Sequence, residues 1–261
     1  MAVVKAISSR DNPLLMRLRK LASDPGGYRK LGEIWLEGDH LCSAFLQHGG
    51  VPAQAVITEA AWEEPRWREI ASRASAVVVL PQTLMNGLST LESPPPIGFV
   101  VPWQGAGALA SGLPSVVLDR LQDAGNVGTI LRSAAALGVE QIVALKGTAA
   151  LWSGKVLRAA MGAHFGLRLV EGAGPDALDA LGVPLVATSS HATQWLHEAR
   201  LPNPCAWLLG HEGQGVDPEL LGRCALTVGI PQPGGEESLN VASAAAICFY
   251  EALRQRSLPD A

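Results

Sequence analysis

Short apolar runs alternate with amphipathic stretches along most of the chain, a rhythm that predicts strands and helices in turn. Leu14, Leu15, Leu18 and Leu21 fall at helical spacing behind Asn12, a favoured cap, and Pro13, whose fixed φ suits a first turn. Asp24-Pro25-Gly26-Gly27 ends that helix. Strands are predicted at 34–37, 54–58, 76–80 and 97–101, with helices at 39–48, 60–73 and 82–91 between them. The second half repeats the pattern. Its strands are predicted at 115–119, 141–145, 166–170, 184–188, 206–209 and 226–230. Its helices are predicted at 127–137, from a Ser153 cap to 161, at 175–181 and from about 239 to 254. Apolar runs of four to five residues between helices imply an α/β fold with a mostly parallel sheet buried on both faces.

The halves are separated by P-W-Q-G-A-G-A-L-A-S-G-L-P at 102–114, which has three Gly and no charge. The expected organisation is therefore a first domain at 1–102, a linker at 103–114 and a second domain at 115–261. At 48% hydrophobic and 17% charged residues the composition is that of a globular protein. No apolar run reaches the roughly eighteen residues of a membrane span, and no apolar signal core opens the chain, so a cytoplasmic protein is expected. Cys42, Cys205, Cys224 and Cys248 form no C-x-x-C pair and read as buried, reduced thiols. The six His show no metal-ligand spacing, so no metal is expected.

Net charge is −4, yet residues 1–31 hold seven Lys or Arg against two acids. Arg10, Arg17, Arg19, Lys20, Arg29 and Lys30 of this head are candidates for binding phosphates; a solvated helix face fits the same charges equally well.

Parallel sheets place ligands at the carboxyl ends of their strands, which directs attention to the loops after Asp119, Thr188, Leu209 and Ile230. Three of the four are unusual. After Asp119 comes D-A-G-N-V-G-T-I-L-R-S-A, with Asn126 at a helix start and Arg132 two turns in. After Leu209 comes G-H-E-G-Q-G-V, a glycine-spaced turn with one carboxylate, Glu212. After Ile230 comes P-Q-P-G-G-E-E-S-L-N-V-A-S-A-A-A, where Gly234 and Gly235 give the backbone freedom, Ser238 and Asn240 can cap a helix, and the alanines permit close approach. Taken together, three polar-tipped, Gly-rich loops at one sheet edge suit a nucleotide-like ligand. No G-x-G-x-x-G follows a strand and no G-x-x-x-x-G-K-[ST] is present, which disfavours dinucleotide binding and P-loop chemistry.

In this order, N-V-G-T-I-L-R-S-A, L-L-G-H-E-G-Q-G-V and I-P-Q-P-G-G-E-E-S-L-N-V-A-S-A-A-A-I resemble the three signature motifs of the SpoU (TrmH) family, over roughly residues 115–256. The first hundred residues resemble, less specifically, the ribosomal-protein-like RNA-binding domain that many members carry. The resemblance implies an S-adenosylmethionine-dependent RNA 2′-O-ribose methyltransferase, acting on ribosomal or transfer RNA. It also implies a C-terminal trefoil knot and a homodimer. Carried over by position, Asn126, Arg132, Glu212, Ser238 and Asn240 are the catalytic-motif residues. Backbone around Thr188, Leu209, Gly210, Ile230 and Leu239, with Glu212, Gly213 and Ser238 beside it, would hold the cofactor. His211 departs from the Asn common in the family. A non-catalytic RNA-binding module and a base-modifying methyltransferase of related knotted fold are the rival classes; the first motif disfavours the second.

Overall fold

The computed structural model describes residues 3–234 and 238–257. The chain divides into two units, Met1–Gly105 with Trp152–Phe165, and Ala106–Leu151 with Gly166–Ala261.

The first unit runs β1 (Val3–Ala6), α1 (Pro13–Ser23), α2 (Gly27–Leu31), β2 (Glu33–Glu37), α3 (Asp39–Gln47) and β3 (Gln54–Thr58). It continues with α4 (Glu59–Glu63), α5 (Pro65–Ala71), β4 (Ala76–Leu80), α6 (Gln82–Asn86) and β5 (Ile97–Pro102). Its sheet order is β1-β4-β3-β5-β2, parallel except that β5 runs antiparallel to both neighbours. Asn12 caps α1 through the Leu14 N–H at 2.9 Å, and Leu14, Leu15, Leu18 and Leu21 are buried, as their spacing predicts. The helix expected at 60–73 is two helices. Pro65 has no N–H to continue α4, so it opens α5 instead. The helix expected at 82–91 stops at Asn86, where Gly87 closes it. Strand β1 and helix α2 were not expected. β1 is too short and too exposed to show a pattern, and α2 lies inside a Gly-punctuated stretch.

The second unit contains β6 (Ser115–Leu118), α7 (Ala124–Ala136) and β7 (Gln141–Leu145). Helix α8 (Gly154–Ala160) follows in sequence, capped by Ser153. Then come β8 (Arg168–Ala173), a 3-10 helix Pro175–Leu181, β9 (Leu185–Thr188), β10 (Ala206–Leu209), α9 (Pro218–Gly222), β11 (Leu226–Val228) and α10 (Val241–Ser257). The sheet order is β11-β9-β10-β6-β7-β8, and every pair is parallel. Consecutive residues Val116, Val117 and Leu118 are fully buried, so both faces of the sheet are covered. One face carries a core of Val117, Val143, Leu145, Leu178, Leu181, Leu185 and Leu208; α7 and α10 pack on each other.

The stretch Trp152–Phe165 groups with the first unit although it lies between β7 and β8 in sequence. Val156, Leu157 and Ala160 are buried, and the Arg158 guanidinium meets Glu37 at 3.4 Å. A linear division at 102–114 does not capture this excursion, because the residues that bury α8 come from β2 and its neighbours.

Candidate active site

Order in the second sheet reverses between β6 and β10: the chain winds from β6 through β7 to β8, then resumes on the other side with β9 and β10. A crevice opens at the carboxyl ends of the strands flanking such a reversal. Here it is closed by backbone and by a buried carboxylate. The Asp119 N–H donates to the Leu209 carbonyl at 2.8 Å, and the Asp217 N–H donates to Asp119 Oδ2 at 2.8 Å. Arg120 adopts a left-handed φ of 57° and grips Asp119 through Nε at 2.8 Å and Nη2 at 3.0 Å. These bonds tie the loop after β6 to the loop after β10.

Asp123 is the cap of α7, accepting from the Asn126 N–H at 2.8 Å. This corrects the expectation that the helix starts at 127 with Asn126 at its head. Capped by Asp123, the helix keeps Asn126 in its first turn with the side chain free for other partners. Asn126 Nδ2 donates to Glu212 Oε1 at 3.3 Å, and Asn126 Oδ1 accepts from Asn240 Nδ2 at 3.0 Å. Asn240 Oδ1 in turn accepts from the Ala242 N–H at 2.9 Å and the Ser243 N–H at 3.3 Å, capping α10.

The direction of this chain is fixed from both ends. Helix N–H groups can only donate, so Asn240 must present oxygen to them and its amino group to Asn126. A carboxylate can only accept, so Asn126 must present its amino group to Glu212. One residue from each motif is thereby joined in a single directed path. Glu212 also accepts from the backbone N–H of Asp123 at 3.1 Å and of Gln122 at 3.3 Å. Partial burial pushes its carboxyl upward. The backbone N–H of Glu212 itself, those of Asp123 and Gln122, and the Asn126 amide outweigh that push, and its pKa lies below the usual value. Glu212 is therefore ionised at neutral pH, and its lone pairs are already engaged.

Beside this path lies a cavity of about 320 Å³, lined by Thr188, Leu209, Gly210, Glu212, Ser238, Leu239 and Asn240 among others. A smaller one of about 150 Å³ shares Thr188, Ser238, Leu239 and Ala244 with it and adds Ser189, Ser190, Ile230 and Gln232. Every residue expected to hold the cofactor lines one of the two, except Gly213. A Cβ on Gly213 would meet nothing closer than the His211 ring at 3.8 Å, so that position tolerates a small side chain. The turn cannot replace Gly210, whose Cβ would strike the backbone of Gly215 and Val216, and Gly215 holds a left-handed φ of 72°. Gly234 has open space around it, and Gly235 lies outside the described residues.

The size of the larger cavity falls within the roughly 300–1,000 Å³ of small-molecule sites. Among the described residues Gln232 Oε1 is buried without a hydrogen-bond partner at the edge of the smaller one, an acceptor suited to a ligand's donor. Gln232, Ser189, Ser190 and Asp123 were not singled out from sequence. Only the I-P-Q tripeptide, next to a motif already under attention, pointed toward Gln232.

Arg132 projects from α7 into solvent, with no hydrogen bond or ion pair among the described residues. Its charge is unspent. The six basic residues of the head lie in the first unit, in two groups. Arg17 pairs with Glu33 at 3.1 Å, Lys30 with Asp24 at 3.5 Å, and Arg29 lies over the Tyr28 ring. Arg10, Arg19 and Lys20 have no ion-pair partner among the described residues.

The SpoU rRNA Methylase family matches residues 114–250. An uncharacterized tRNA/rRNA methyltransferase of Synechocystis is 35% identical, the match covering 97% of this chain and 95% of the relative. The 23S rRNA (guanosine(2553)-2′-O)-methyltransferase RlmP of Bacillus subtilis is 31% identical over 95% of this chain and 98% of its own length. Among solved structures, an AdoMet-bound rRNA methyltransferase from Sinorhizobium meliloti superposes with a TM-score of 0.85. It is 25% identical, and the match covers 98% of this chain and 99% of that one.

Proposed function

The chain belongs to the SpoU rRNA methylase family, and from that membership we infer its reaction, S-adenosylmethionine-dependent methylation of a ribose 2′-hydroxyl in ribosomal RNA. It is an RNA methyltransferase, and S-adenosylmethionine is its cofactor. The single observation that supports a working site is the Glu212–Asn126–Asn240 path, which links three distant motifs beside the cavity and leaves Arg132 unpaired.

When bound, the cofactor supplies an already activated methyl group, so this chain has to position the ribose oxygen and stabilise the charge it develops. Thr188, Leu209, Gly210, Ile230, Ser238 and Leu239 form the cofactor's walls. Glu212 orients rather than accepts a proton, because its oxygens already receive N–H groups from Gln122, Asp123 and Asn126. Asn126 and Asn240 hold the first and third motifs in register. Arg132 binds the phosphate beside the target ribose and stabilises the oxygen as its proton leaves. A guanidinium stays charged at any working pH and can face two oxygens at once.

The finer assembly follows the same reading. The loops after β9, β10 and β11 crowd one cavity, which supports a C-terminal trefoil knot. Ile247 and Tyr250 are exposed on α10, 41% and 60%, which supports a homodimer through that helix. The first unit is the RNA-binding domain, with Arg10, Arg19 and Lys20, which form no close ion pair among the described residues, meeting phosphates, and the protein works in the cytoplasm. Transfer to a base through a cysteine is disfavoured, since burial pushes the Cys205 and Cys224 thiols up to about 11.

The deciding experiment supplies radiolabelled cofactor and ribosomal RNA lacking its own modification. Label recovered in an alkali-resistant dinucleotide is expected, because a capped 2′-oxygen cannot attack the adjacent phosphate. Label in an alkali-labile mononucleotide would move the reaction to a base.

A further inference from the structure

His211 stands where the chain turns back after β10, and its ring is the internal tie of that turn. Nδ1 lies 3.0 Å from the backbone nitrogen of Gly213 and 3.2 Å from that of Gln214. Both are N–H donors, so Nδ1 must present its lone pair, and the ring proton of the neutral form sits on Nε2. A side-chain acceptor reaching an N–H two residues on is the arrangement that Asn or Asp ordinarily supplies in turns. The Gly215 N–H closes the same turn onto the His211 carbonyl at 2.8 Å. His211 also lines the larger cavity together with Gly210, Glu212, Gly215 and Val216. The turn it ties therefore sets one wall of the cavity and the place of the Glu212 carboxylate.

We propose that His211 is a positioning residue of this site, and that only its neutral, Nε2-protonated ring holds the turn in the shape that binds cofactor. The proposal rests on the reading of the cavity as the S-adenosylmethionine site. A proton on Nδ1 would face two N–H groups, replacing two hydrogen bonds with two repulsive contacts. Protonation of the ring at Nδ1 would therefore lower cofactor affinity.

The charged groups around the turn do not oppose this. Glu212 within it is held by Gln122, Asp123 and Asn126. Asp119, at the end of β6, is held by Arg120 and the Asp217 N–H. Asp217 carries a second contact to Arg120 at 3.8 Å, and Arg120 reaches Gln214 at 3.4 Å, adding positive charge near the turn.

Calorimetry of S-adenosylmethionine binding to the full chain, at about pH 8 and about pH 5.5, tests the proposal on wild type, His211→Asn and His211→Ala. Wild type is expected to lose roughly tenfold in affinity between the two, the equivalent of two neutral hydrogen bonds of modest net strength. His211→Asn is expected to match wild type at the higher pH and to stay flat. His211→Ala is expected to be weak at both. Full affinity in His211→Ala, or an unchanged acid loss in His211→Asn, would overturn the proposal. Wild type that binds no cofactor at either pH would sink the reading of the cavity instead. In that case amide exchange at Gly213 and Gln214 still decides the role of His211: lower protection relative to the intrinsic exchange rate is expected in His211→Ala and in acid, and unchanged protection refutes it.

Discussion

The basic head and the three-loop edge both concentrate polar residues, but they organise them in opposite ways. In the head, partners are near neighbours: Lys30 meets Asp24, Arg17 meets Glu33, and Arg29 lies over Tyr28. At the edge, Asn126 meets Glu212 across 86 positions and Asn240 across 114. Exposed local pairs are worth about 0–1 kcal/mol each and are screened by salt. A directed path between distant loops depends on the whole sheet being in place, and it fixes side chains to within a hydrogen-bond length. The head is thus suited to attracting a polyanion in many poses, and the edge to holding one geometry.

That contrast breaks most sharply at Arg132. Arg132→Ala is expected to reduce methyl transfer by about 10²–10³-fold with folding and cofactor affinity intact, since its exposed guanidinium makes no hydrogen bond or ion pair among the described residues. Arg132→Lys should rescue poorly, because an ammonium lacks the planar fork. Single-turnover assays with a parallel cofactor titration measure both; activity in Arg132→Ala near wild type would remove Arg132 from the chemistry.

Next comes the turn after β10. Gly210→Ala is expected to weaken cofactor binding by about 10²-fold or more, whereas Gly213→Ala should change it less than threefold, as only the first Cβ meets backbone. Calorimetry on the pair is decisive, and equal losses would mean the turn responds to flexibility and not to space.

A smaller effect, about tenfold in transfer rate, is expected for Glu212→Gln, which keeps one acceptor oxygen and so sets its amino group against either the Gln122 N–H or the Asp123 N–H and Asn126 amide. The pH dependence follows from the lowered pKa of Glu212. Its contribution is complete above the ordinary carboxylate value and is lost only as pH falls through the lower folded value. In a His211→Asn background the remaining acid limb should therefore appear below the usual carboxylate range and vanish in the double variant with Glu212→Gln. A pH–rate profile of the three proteins measures this.

The smallest effect belongs to the head. Neutralising Arg10, Arg19 and Lys20 together should weaken RNA binding by about threefold per charge and flatten its salt dependence, leaving cofactor affinity unchanged. Arg17→Gln alone should do less, because Glu33 already offsets that charge. Filter binding across a salt series checks both, and an unaltered slope would mean these residues only solvate α1.

The parallel core was legible because fully buried strands read as unbroken apolar runs: 141–145 and 206–209 appear in the structure with the same limits. The loops of the site were legible for a related reason, since chain order and strand ends fix where such a sheet can bind. What escaped notice was decided by contacts distant in sequence. Nothing near Asn126 announces that Asp123 is the cap, because both residue types cap well. Gly210 and Gly213 look alike until the return of Gly215 and Val216 separates them. The break at Pro65 is local, but the helical spacing of 60–73 runs through it and masks it.

The excursion of Trp152–Phe165 has a consequence for how the protein is made. A ribosome releases residues in order, so β6, α7 and β7 emerge before α8 arrives to bury Val156, Leu157 and Ala160 and to pair Arg158 with Glu37. The amino-terminal unit, first to be started, cannot be completed until residues 152–165 have emerged, after the second unit has already begun. A fragment cut at the linker would leave apolar positions uncovered in one half and an orphaned helix in the other. Truncation that keeps the first unit whole must therefore retain residues 152–165.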